Sequence, residues 1–104
     1  RNFRTDLVMS SYLSSEYGGL CVHQYQEVAK DFLVGCVVET RKAKSLKKST
    51  MSIWLQIDPR SYLDIEKGRY GLSAASLLCF QCNLADVEIL DMVHSFKSKI
   101  DPSD

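Results

Sequence analysis

Between Thr5 and Glu16, Leu7, Val8, Met9, Tyr12 and Leu13 recur at helical spacing, and Gly18-Gly19 follow as a stop. That pattern predicts a first helix. A second is expected over His23 to Asp31, with Tyr25, Val28 and Ala29 facing inward. Phe32, Leu33, Cys36 and Val37 continue that spacing. The run is also dense in aromatic and β-branched residues, and Gly35 weakens a helix interior by roughly 1 kcal/mol. A strand over 32–40 is the expectation. Met51, Ile53, Leu55 and Ile57 alternate with Ser52, Trp54, Gln56 and Asp58. This period of two predicts a strand with one buried face and Trp54 on the other, closed by Asp58-Pro59.

Ser61 to Asp64 has the spacing of a helix N-terminus, and Gly68 and Gly71 hold that element to one or two turns. Ala74 to Gln81 suits helix or strand, its alanines favouring helix. Asn83, with Asp86 three positions later, is expected to cap a final helix in which Val87, Ile89, Leu90, Met92, Val93 and Phe96 form a broad apolar surface. The predicted architecture is a small α+β domain, several helices packed on a short antiparallel hairpin, with a mostly α-helical bundle as the alternative. A chain of 104 residues suits one compact domain over 1–104. Its opening Arg1-Asn2-Phe3 suggests a module excised from a longer protein, and 100–104 reads as a flexible tail. No apolar run approaches the roughly 20 residues that cross a bilayer.

Charge adds one local feature. The formal net charge is zero, yet Arg41, Lys42, Lys44, Lys47 and Lys48 fall within eight residues, and no acid follows before Asp58. Residues 41–50 therefore read as an exposed basic loop on a neutral body. It has three uses: a solvated turn, a dock for an acidic protein or lipid surface, or a set of phosphate contacts. Tyr62 and Tyr70 flank Lys67 and Arg69, an interleaving that suits base stacking but equally suits core aromatics. Ser45, Ser49 and Thr50 stand near the lysines, where a phosphate would weaken attraction to an acidic partner.

Cys79 and Cys82 have the spacing of a metal knuckle, with Cys21 and His23 as further candidate ligands and His94 as a substitute. There is no second tight pair, and Leu77, Leu78 and Phe80 make the surroundings apolar, so ordinary reduced cysteines in the cytoplasm or nucleus are expected. No phosphate loop or dinucleotide fingerprint occurs, and scattered Ser, His and acidic residues establish no triad. The chain is expected to be no enzyme and to need no cofactor. The leading expectation is an intracellular interaction module that recognises a protein partner through Arg41, Lys42, Lys44, Lys47, Lys48 and Trp54. Nucleic-acid binding through the same loop and structural self-association are the alternatives.

Overall fold

The computed structural model describes residues 22–100, with five helices and no strand among them. The α+β expectation is thereby corrected to the helical alternative. In chain order the helices are α1 (Val22–Ala43), α2 (Lys48–Leu55), α3 (Pro59–Glu66), α4 (Ala74–Gln81) and α5 (Asp86–Ile100). The expected helix over Thr5–Glu16 and all of the expected 100–104 tail but Ile100, which ends α5, lie outside the described residues.

Both predicted strands are helical. Residues 32–40 belong to the second half of α1, where Val37 is fully buried and Phe32 meets Phe96 of α5 with ring centroids 5.2 Å apart. Packing at spacings of four and five outweighs the strand propensity of the run. Gly35 does not interrupt it, and a Cβ there would meet nothing within 4 Å. In α2, Met51 and Leu55 are buried one helical turn apart, whereas Ile53, which a strand would bury beside them, is 65% exposed. Trp54 is half-buried and its ring lies 6.5 Å from that of Phe80. It thus closes the edge of the core formed by Val37, Met51, Leu55, Tyr62 and Phe80.

Three helices end in one way. After α1, the Leu46 N–H donates to the Arg41 carbonyl (2.8 Å) and the Ser45 N–H to the Lys42 carbonyl (3.1 Å). After α2, the Ile57 and Gln56 N–H groups donate to the Ser52 and Ile53 carbonyls, each at 3.0 Å. After α3, Arg69 and Gly68 repeat the pattern on Asp64 and Ile65. The residue at each corner has positive φ: Ser45 at 55°, Gln56 at 58° and Gly68 at 81°. These paired bonds satisfy carbonyls that a helix end leaves open, and the apolar residue after the corner, Leu46 or Ile57, folds back on the core.

Helix starts differ from the expected ones. Asp58, not Ser61, caps α3: its carboxylate accepts from the Ser61 N–H and hydroxyl, both at 2.9 Å, and Pro59 takes the first helical position. Ser73 caps α4 by accepting from the Ser76 N–H at 3.1 Å. Asn83 does not cap α5. Its amide donates to the Cys79 carbonyl at the end of α4, and Glu88 reaches back instead to the Ala85 N–H at 2.8 Å.

Candidate functional site

The residues of the basic segment do not form one loop. Arg41 and Lys42 occupy the last turn of α1, residues 44–47 make the connection, and Lys48 opens α2. Their charges are unequally available. Arg41 Nε donates to Glu66 Oε2 at 2.7 Å, Nη2 to Oε1 at 3.4 Å, and Nη1 to the Leu46 carbonyl at 3.3 Å. The Tyr62 hydroxyl donates to the same Glu66 carboxylate from within the core. Burial pushes the Glu66 carboxyl up, but the hydrogen bonds from Tyr62 and Arg41 and the charges of Arg41 and Lys48 outweigh it and hold it below its ordinary value. Burial first, then the Glu66 carboxylate, push the Tyr62 hydroxyl up and keep it protonated. Arg41 thus ties the end of α1 to the end of α3.

Lys44 pairs with Glu88 of α5 at 3.1 Å, and Lys48 stands 3.9 Å from Glu66 with about half its side chain in solvent. Lys42 and Lys47 are exposed and make no ion pair among the described residues. The positive charge left outward is therefore concentrated where α2 begins. Lys47 occupies the N-cap position of that helix without supplying a side-chain cap. Ser49 and Thr50 stand in its first turn, Ser49 exposed and Thr50 half-buried.

From this start, residues 48–65 carry a spatial pattern that charge alone does not reveal. Met51 and Leu55 are fully buried, and Ser52 between them is 1% exposed, its hydroxyl turned back on the Ser49 carbonyl at 2.6 Å. Gln56 then takes the left-handed conformation, Ile57 tucks under, and Asp58 starts α3 after a connection of three residues. Tyr62 and Ile65 return the contact from α3. Two eight-residue helices are thus joined by a three-residue corner, and the second presents an exposed side.

The outward side of α3 carries Arg60, Leu63 and Lys67 just beyond its end, all exposed. Its acids are engaged within the chain. Asp58 serves the cap, and the Ser61 N–H and hydroxyl hold its carboxyl below the usual range. Asp64 accepts from Arg69 at 3.3 Å, and Glu66 faces Arg41 and Tyr62. Arg60 and Lys67 have no ion-pair partner among the described residues. Asp64 and Glu66 are thus matched by cations, while exposed Asp58 keeps its negative charge at the corner; against Lys47, Lys48, Arg60 and Lys67 the balance over the start of α2 and the outer side of α3 is net positive.

The other sequence candidates lie elsewhere. Trp54 serves the core edge. Cys79 is half-buried and Cys82 exposed, while Cys21 and the His23 side chain lie outside the described residues. Among the described residues no three His, Cys, Asp or Glu side chains come together as a metal site. A groove between α1 and α5 is lined by Asp31, Glu39, Glu88 and Asp91, with Lys99 at one end. Sequence reasoning missed Arg60, Leu63 and the left-handed Gln56. The signal available was the apolar, small, apolar, polar, apolar order of Met51, Ser52, Leu55, Gln56 and Ile57. No family model, curated protein or solved structure matches the chain.

Proposed function

We propose that this domain binds duplex nucleic acid through α2, the 56–58 corner and α3. The observation that carries the reading is the burial pattern Met51, Ser52, Leu55, left-handed Gln56, Ile57, Tyr62, Ile65, which locks two short helices and leaves the outer face of the second free. A helix of about 10–12 Å diameter fits a major groove about 12 Å wide. In such a docking the first turn of the second helix meets base edges while the first helix crosses the backbone. Arg60, at the second position of α3, is then the base reader, with a guanine edge as its best partner. Leu63 supplies apolar contact of the kind a thymine methyl offers. Lys47, Lys48 and Lys67 lie where phosphates pass and position the domain without reading sequence. The domain acts by recognition in this account, with no chemical step.

Recognition of an acidic protein by the 41–48 segment, including Arg41 and Lys44, draws less support from the geometry. Three of its five cations face acids of the same chain, Arg41 and Lys48 at Glu66 and Lys44 at Glu88, and Trp54 is half-buried against Phe80. A cytoplasmic or nuclear setting belongs to the proposal. It is supported by Cys36, Cys79 and Cys82, which form no disulfide with one another. No helix among the described residues is long and apolar enough to cross a membrane.

The test is fluorescence anisotropy with a labelled duplex across a salt series. Two to four phosphate contacts give a log–log salt slope of roughly −2 to −4. Replacing Lys47 and Lys48 with alanine reduces that slope by roughly 1 to 2 and weakens all sequences alike. Arg60→Ala instead flattens discrimination among sequences. Absence of saturable binding at low salt by the folded domain refutes the proposal.

A further inference from the structure

Independently of any nucleic acid, we infer that the outer face of α5 pairs with the same face of a second copy of this chain, the two helices antiparallel. α5 meets α1 through Met92 and Phe96, yet none of its residues is fully buried, and Val87, Leu90 and Val93 are 62%, 55% and 40% exposed. At about 100° per residue, Val93, Asp86, Lys97 and Leu90 fall within a sector of about 60°, turned about 110° from the α1 side. That sector holds an acid near one end, a base near the other and two apolar side chains between them.

The arrangement is self-complementary. Asp86 and Lys97 stand equally far on either side of the midpoint between Leu90 and Val93, about 16 Å apart along the axis. A two-fold axis through that midpoint sets Leu90 against Val93 of the second copy and Asp86 against its Lys97, and repeats each contact in reverse. Such reciprocity is what an isologous interface requires. Asp86 and Lys97 are exposed and make no ion pair among the described residues, so both are free for it. A parallel pairing would set Asp86 against Asp86 and Lys97 against Lys97, which like-charge repulsion disfavours. One helix pair buries less surface than a standard interface, so the dimer is weak and concentration-dependent.

Sedimentation of the whole chain without added ligand, up to about 1 mM, tests the pairing. The expected result is a mass that rises from monomer towards dimer with concentration, more steeply at low salt. Asp86→Lys alone, or Lys97→Asp alone, converts both symmetric attractions into repulsions and weakens association by about tenfold or more. An equimolar mixture of the two single variants restores it, because the mixed pair sets two lysines against two aspartates. Circular dichroism confirms that each variant is folded, and Leu90→Asp abolishes association as a second probe. A mass that stays monomeric throughout overturns the inference. So does association that depends on Leu90 but ignores both charge changes and their mixing, since a different register or a different occupant would then cover the face.

Discussion

Tyr62→Phe isolates the junction that joins α1 to α3. Tyr62 is fully buried, and its hydroxyl donates to a Glu66 carboxylate that Arg41 also grips at 2.7 Å. A hydrogen bond to a charged acceptor contributes about 1.5–3 kcal/mol. The substitution removes a donor but orphans little, since Glu66 keeps its Arg41 bonds and the phenyl ring keeps its packing. The expected loss therefore lies at the low end, about 1.5–2 kcal/mol, or roughly 6–12 °C in melting midpoint for a domain of this size. The dependence on pH carries a sign. The folded Glu66 carboxyl titrates below its ordinary value, so its contribution is complete above the unfolded carboxylate range and disappears as pH falls through the folded value. Urea unfolding at pH 7 and again near pH 3 should show the gap between natural and variant chains shrinking on acidification. A gap under about 0.5 kcal/mol at pH 7, the size of an ordinary surface change, or one that persists unchanged at low pH, would refute this picture of the junction.

Three further substitutions or reactions probe the fold. Gly35→Ala should raise stability by about 1 kcal/mol in urea unfolding, because the site is helical and a Cβ meets open space there; destabilisation would contradict that open environment. Ser45→Gly should stabilise by about 1 kcal/mol by relieving the left-handed corner after α1, whereas no gain would mean that Ser45 does not hold positive φ in solution. With a thiol reagent at mildly alkaline pH, exposed Cys82 should react well before Cys36, whose thiol is pushed up by burial and then by Glu39; equal rates would contradict the packing of α1.

The sequence made some of this structure legible and concealed the rest for physical reasons. The final helix is visible in spacings of three and four, but its apolar residues run so far around the axis that the pattern does not say which side meets α1. Residues 51–57 satisfy both a period of two and a helical turn from Met51 to Leu55. Only the environment of Ile53 separates the two, and that environment is tertiary. Gly68 announces a helix end, whereas Ser45 and Gln56 take the same left-handed corner without the residue that usually signals it. The charge of the basic segment was plain. Its partial neutralisation was not, because Glu66 lies 25 residues from Arg41 in the chain and Glu88 farther still from Lys44. The joining of α2 to α3 through a left-handed corner became visible only when burial and the sign of φ were known together.

The most direct test of the account is a titration of the ¹⁵N-labelled domain with a short duplex, followed by backbone amide shifts. Binding through α2 and α3 predicts that residues 47–50 and 60–67 move together and saturate together, with the outer face of α5 unchanged. Shifts confined to α5, or none at low salt, would contradict it.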